Sequence, residues 1–148
     1  MSKIQNKMSL EGRGEKELLE LLIEEQDRFG YISGEFMAEI AGAMGLSISE
    51  VYGVTSFYSF LSIKPQGRHV IRICKSVPCY LKNSDMIIER VAKELGIKPG
   101  ETTPDDRFSF ELTNCIGACD QAPAIMINND VHVDLTAAKI SLILKSYE

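Results

Sequence analysis

His69-Val-Ile-Arg-Ile-Cys74-Lys-Ser-Val-Pro-Cys79 and, further along, Phe108-Ser-Phe-Glu-Leu-Thr113-Asn-Cys115-Ile-Gly-Ala-Cys119 are built on one plan. Each begins with an alternating run rich in β-branched and aromatic residues, which predicts a strand, and each ends in two cysteines. Between them, residues 85–95 carry Met86, Ile87, Val91 and Leu95 on one helical face, with Ser84 available as cap and Gly96 as stop. A strand, a helix and a strand in that order, if the strands share a sheet, make a right-handed crossover with the strands parallel. Parallel neighbours finish on the same sheet edge. Both cysteine pairs are therefore expected in loops leaving that edge, close in space although distant in sequence.

The rest of the chain fits around this unit. A polar loop covers residues 98–106, and the second strand, alternating strictly, should bury one face. Two apolar runs, 124–127 and 131–134, flank Asn128-Asn129-Asp130 and read as a hairpin. Residues 136–147, with Ile140, Leu142 and Leu144, should form a closing helix. The order β-α-β-β-β-α describes an α+β fold, a small mixed sheet with helical cover. Upstream of the breaker cluster Lys64-Pro65-Gln66-Gly67 every segment reads helical, which divides the chain into an N-terminal helical bundle at 1–64 and a sheet domain at 65–148. The first helix spans 15–29, with Leu18, Leu19, Leu22 and Ile23 as its stripe and Gly30 as C-cap. Ser33 caps a second helix through Phe36, Met37 and Ile40 that Gly45 stops. Ser47 and Glu50 form a capping box for a short third helix leading into the aromatic stretch Val54–Leu61. Phe57, Tyr58 and Phe60 in that stretch are read as core residues, with a partner surface as the alternative.

Composition narrows the function. Hydrophobic residues make up 45% and charged residues 25% of the 148, a foldable balance, and no apolar run is long enough to span a bilayer. The opening stretch, residues 1–8, is polar and lacks an apolar h-region, so no secretory signal is expected and a cytoplasmic location follows. Grouped cysteines in such a setting bind metal or do redox chemistry more often than they form disulfides. A net charge of −5 with scattered bases argues against nucleic acid as a partner.

The pattern Cys74-x4-Cys79 with Cys115-x3-Cys119 suits a [2Fe–2S] cluster, whose two irons each take two thiolates. Gly117 and Ala118 leave room for backbone to wrap around sulfides, and loop N–H groups there can tune a potential. Zinc ribbons prefer C-x2-C knuckles, and a dithiol oxidoreductase needs C-x-x-C at a helix start. Neither spacing is present. A Rieske centre needs two histidines, and His69 and His132 fall inside predicted strands. A [4Fe–4S] ferredoxin run of C-x2-C-x2-C is missing as well. A zinc-stabilised interaction module without redox function remains the competing class.

These cysteines, together with Gly30-Tyr-Ile, Val51-Tyr-Gly-Val-Thr-Ser-Phe-Tyr58, Pro65-x-Gly67, the Ala-Pro123 that follows Cys119, and Leu135-Thr136, resemble the thioredoxin-like [2Fe–2S] subunit family of respiratory complex I and related soluble enzymes. The resemblance runs from about residue 18 to residue 144. It implies a thioredoxin-like fold for the sheet domain and ligation of one [2Fe–2S] cluster by Cys74, Cys79, Cys115 and Cys119. It also implies a larger partner subunit carrying FMN, a [4Fe–4S] cluster and the NAD(P)H site, and further subunits of the same complex. Such complexes include complex I, NAD(P)-linked iron hydrogenases (some electron-bifurcating) and formate dehydrogenases; the compact chain favours the soluble hydrogenase type. No Gly-rich dinucleotide fingerprint is present, so nucleotide and flavin belong to the partner and no catalytic activity is expected of this chain alone. Lys82-Asn83 replaces a glycine frequent in relatives, and Asp120-Gln121 stands where small or apolar residues are frequent. Lys75 reads as a solvated loop charge. Pro123 shapes the loop before a strand, and a cis bond of the thioredoxin type is one way to do so.

Overall fold

A computed structural model describes residues 15–147. The expectation for residues 1–8 lies outside the described part. The chain falls into two compact units, one ending at Pro65 and one beginning at Gln66.

The first unit holds three helices, α1 (Glu15–Phe29), α2 (Gly34–Met44) and α3 (Ile48–Phe57). Their ends follow from local chemistry. Ser33 Oγ accepts from the Phe36 N–H, and Gly45 closes α2 in the left-handed region. Ser47 and Glu50 form the reciprocal capping box at the start of α3. The side-chain amide of Gln26 reaches across the unit, donating to Phe60 O and accepting from Ser62 N, and so ties the segment after α3 to α1. Leu18, Leu22, Ile32, Met37, Ile40 and Val51 form the core.

Two expectations fail here. Helix α3 continues through Phe57 into the aromatic stretch, and Phe57 is 79% exposed rather than core. The cause is helical phase: α3 buries Val51 and Thr55, four residues apart, and Phe57 projects away from that stripe. Phe60 is also exposed, while Tyr58 packs partly against the core.

The second unit is built on a four-stranded sheet in the order β2-β1-β3-β4. The strands are β1 (His69–Cys74), β2 (Phe108–Thr113), β3 (Ile125–Ile127) and β4 (Asp130–His132). β1 and β2 are parallel over six residue pairs, from His69 beside Phe108 to Cys74 beside Thr113. β3 runs antiparallel to β1, and a tight turn at Asn128-Asn129 returns the chain as β4. Helices α5 (Ser84–Leu95) and α6 (Ala137–Ser146) pack on one face. Their Ile87, Val91, Ile140 and Leu144 meet Ile71, Ile73, Phe108, Phe110, Ile125 and Ile127 of the sheet.

Three details differ from the expected pattern. A short helix α4 (Val77–Leu81) precedes α5, so two helices, not one, join β1 to β2. Ser84 is the first residue of α5 rather than its cap; Asn83, left-handed at φ 63°, occupies that position and makes no side-chain cap bond. On β2, Ser109 is buried along with Phe108 and Phe110, so alternation does not mark a solvent face there. Ser109 is covered because Gly67 N–H donates to its Oγ at 2.8 Å and the Thr102 hydroxyl lies 2.7 Å from it.

The segment before β2 folds back along that strand's outer edge. Gly100 N donates to Phe110 O, Phe110 N to Glu101 O and Thr103 N to Phe108 O, with Thr102 bridging to Ser109. Gly67 sits tightly against this seam: a Cβ there would stand 3.0 Å from backbone atoms of Asp106, Arg107 and Phe108. Gly67→Ala should therefore cost about 1–3 kcal/mol, the usual range for overpacking, because the atoms in the way are backbone rather than the end of a flexible side chain. Denaturant unfolding of the full chain measures it; an unchanged midpoint would show that the seam yields.

Candidate metal centre

Cys74 ends β1, and the chain turns at once into α4, which starts with Pro78 in its first turn and carries Cys79. Proline suits that position because its fixed φ matches the helix and its missing N–H would have had no partner. Cys79 is thus held on a helical turn, not in the open loop expected from the sequence. The Ser76-Val-Pro order was the available signal for it. On the other segment, Cys115 lies two residues past β2, and Cys119 opens a single 3-10 turn, Cys119–Gln121. Gly117 lies between them at φ +86°, a conformation that side-chain-bearing residues rarely adopt, and its N–H donates to Cys115 Sγ at 3.4 Å. This bend brings Cys115 Sγ to 3.1 Å from Cys119 Sγ.

The segment after Cys119 returns to the same edge. Ala122–Pro123 is cis, and Ala124 leads into Ile125, which pairs with Ile73 next to Cys74. Asp134 N–H donates to Gln121 O and Leu135 N–H to Pro123 O, which fastens this return from its other side. Burial pushes the Cys79 thiol up, contact with Cys74 adds to this, and a hydrogen bond from the Ala124 amide opposes it. Cys115 in turn interacts with Cys74 as well as with Cys119. The four sulfurs therefore come from two segments and gather at one sheet edge.

Their surroundings differ. Cys74 and Cys79 are buried, whereas Cys115 and Cys119 are exposed. The Cys119 thiol and the Gly117 amide both donate toward Cys115 sulfur and hold its pKa below the ordinary thiol value. Cys119, which gives the hydrogen bond, is pushed up to about 11, chiefly by Cys115.

The residues fit an iron–sulfur group. A tetrahedral metal with metal–thiolate bonds of about 2.3 Å places its thiolates about 3.8 Å apart, so the Cys115–Cys119 pair needs to open by less than about 1 Å to share one iron. Cys74 and Cys79, which also interact, supply the two thiols of the other segment. Among the described residues no group of three His, Cys, Asp or Glu side chains converges as a single-ion site. The histidines are engaged elsewhere: His69 with Asn128 and the rings of Phe108 and Tyr147, His132 with the Tyr147 hydroxyl at 3.1 Å. Asp120 and Lys75 are exposed beside the site.

In metal-free chain, the lowered Cys115 pKa means that its thiolate fraction rises at a lower pH than that of an ordinary thiol. Alkylation followed by mass spectrometry should therefore label exposed Cys115 before Cys119, whose thiol is pushed up, and before the buried Cys74 and Cys79. Cys79 reacting first would contradict the arrangement.

Comparison with known proteins gives a consistent picture. Residues 2–148 match the family model described as thioredoxin-like [2Fe-2S] ferredoxin. The chain is 41% identical over 123 residues to a subunit of NADH-quinone oxidoreductase from Escherichia coli K12, covering 83% of this chain and 74% of that protein. It is 34% identical over 133 residues to the HndA subunit of NADP-reducing hydrogenase from Solidesulfovibrio fructosivorans, covering 90% and 78%. Among solved structures, NAD+-reducing [NiFe]-hydrogenase in the H2-reduced state superposes with a TM-score of 0.75 at 27% identity, over 88% of this chain and 22% of that one.

Proposed function

The chain belongs to the thioredoxin-like [2Fe–2S] ferredoxin family, and from that premise we propose that Cys74, Cys79, Cys115 and Cys119 hold the family's cluster and that the chain serves as the one-electron relay of a multisubunit NAD(P)H-linked oxidoreductase. The observation that carries the ligand assignment is the gathering of four thiols, two from each of two segments, at a single sheet edge. When bound, the cluster takes up and passes on single electrons. The protein's own part is to hold, shield and tune. Cys74 and Cys79 fix the inner side from rigid elements, while Gly117 and the 3-10 turn shape the outer side. The amides of Gly117 and Ala124 point at ligand sulfur, where they stabilise thiolate charge.

The relatives' names frame the finer reading: one belongs to a quinone-linked NADH oxidoreductase, another to an NADP-reducing hydrogenase. We favour a soluble hydrogenase-type complex, possession of FMN, [4Fe–4S] and the nucleotide site by the partner subunit, and a cytoplasmic location. Among the described residues no helix is long and apolar enough to cross a membrane. Exposed apolar side chains supply surfaces for the partner: Phe57 beside a groove of about 860 Å³ lined by Leu18, Ile23, Val54 and Tyr58 in the helical unit, and, in the sheet unit, Val77, Tyr80 and Leu81 on the helix that carries Cys79.

Anaerobically purified chain should contain about two irons and two acid-labile sulfides, following the stoichiometry of the cluster type. It should show visible absorption and no NADH oxidation until a flavin-bearing subunit is added. One zinc, no sulfide and no visible colour would establish the zinc-stabilised module instead. Turnover of NADH by flavin-free chain would place the catalytic centre in this protein and end the relay reading.

A further inference from the structure

Cys74 shares its side of the sheet with a charged pair. Successive residues of β1 alternate across the sheet, so Arg72 and Cys74 project from one face, opposite to Ile71, Ile73 and the two packed helices. The parallel register sets Arg72 beside Glu111 and Cys74 beside Thr113. Arg72 Nε lies 3.4 Å from Glu111 Oε2, with the two side chains only 11% and 31% exposed. Gln66 Nε2 donates to the other carboxylate oxygen, Glu111 Oε1, at 2.6 Å. The Arg72–Glu111 contact has the distance of an ion pair without the alignment of a hydrogen bond, and the buried Arg72 Nε has no hydrogen-bond partner.

A partly buried pair of this kind contributes little as packing. Two apolar side chains of similar volume usually stabilise a fold as well or better, because desolvation offsets the attraction. Its position offers another use. At about 3.3 Å of rise per residue, the pair begins about 7 Å behind Cys74 on the same strand face.

We infer that Arg72 and Glu111 are opposed charges that set the reduction potential of the cluster, Arg72 raising it and Glu111 lowering it. The inference rests on the assignment of Cys74 as a ligand. Reduction adds one negative charge to the site; a nearby cation stabilises that charge and a nearby anion opposes it. Because both side chains are less open to water than an exposed charge such as Asp120, salt screens them less.

Arg72→Gln, Glu111→Gln and the double variant are made in the full-length holoprotein. Midpoint potentials are then measured by titration with EPR detection, at low and high ionic strength. Arg72→Gln should shift the potential negative and Glu111→Gln positive. The double variant should return close to wild type, Arg72→Lys should recover much of the lost shift, and the shifts should persist in salt. Opposite signs are the discriminating result, because a general loosening of the site moves both single variants the same way. Unmoved potentials, or shifts of one sign, overturn the inference. If Arg72→Gln does not fold, Glu111→Gln is compared with the double variant, which must lie at the lower potential; equal values overturn the inference. Cys74→Ser tests the premise separately. An unaltered cluster spectrum in that variant removes Cys74 from the site, whereas a normal wild-type spectrum with unmoved potentials in the charge variants removes only the role of Arg72 and Glu111.

Discussion

Cys74 pairs with Thr113 at the last step of the parallel ladder between β1 and β2, and Cys115 follows two residues later; the rest of the site depends on this register. A slip of one residue would turn Cys74 to the opposite face of the sheet and carry Ile71 and Ile73 out of the core with it. The apolar face therefore enforces the placement of the sulfur. The antiparallel return of β3 adds the third wall, since pairing of Ile125 with Ile73 sets Ala124 beside the Cys74 end of β1. Core packing on one face and metal chemistry at the edge are one constraint seen from two sides.

The burial of the four cysteines is graded from Cys74 and Cys79, which are sealed, to Cys115 and Cys119, which face outward. The sealed pair sits on a strand end and a helix. The outward pair sits on a turn whose shape depends on a left-handed glycine and on bonds from the segment before α6. Such a site has a stiff inner side and a compliant outer one. Charges near it act the more strongly the less they are open to water. Screening has a length of about 8 Å at physiological ionic strength, and it weakens exposed groups far more than enclosed ones.

Much of this was legible in the sequence, for reasons that differ by element. Ser33, Gly45, and Ser47 with Glu50 announce helix ends because capping is a local interaction completed within one turn. The two strands and their cysteines were legible because alternation and a crossover helix imply a shared edge. Helix α4 was obscured because five residues are too few for periodicity, and only Pro78 hinted at it. Phe57 departs from the expected core position because the helical phase set by Val51 and Thr55 outweighs its aromatic character. Burial of Ser109 depends on Gly67 and Thr102, one of them distant in sequence, and no local pattern records such a contact. The partnership of Arg72 with Glu111 was likewise hidden, since it needs the register and not merely the strands.

The residues that fold back along β2 have a consequence for assembly. Their bonds to Phe108 and Phe110 occupy the main-chain groups that an outer strand normally leaves open. An added chain therefore finds the first part of that ladder already taken, and the opposite margin, β4, offers only three residues. Recruitment by strand addition, a common way for sheets to join other proteins, is curtailed at both β2 and β4. A protein of this design is recognised chiefly through side chains. Its associations are then rewritten by ordinary surface substitution, with the sheet that positions the sulfurs left untouched.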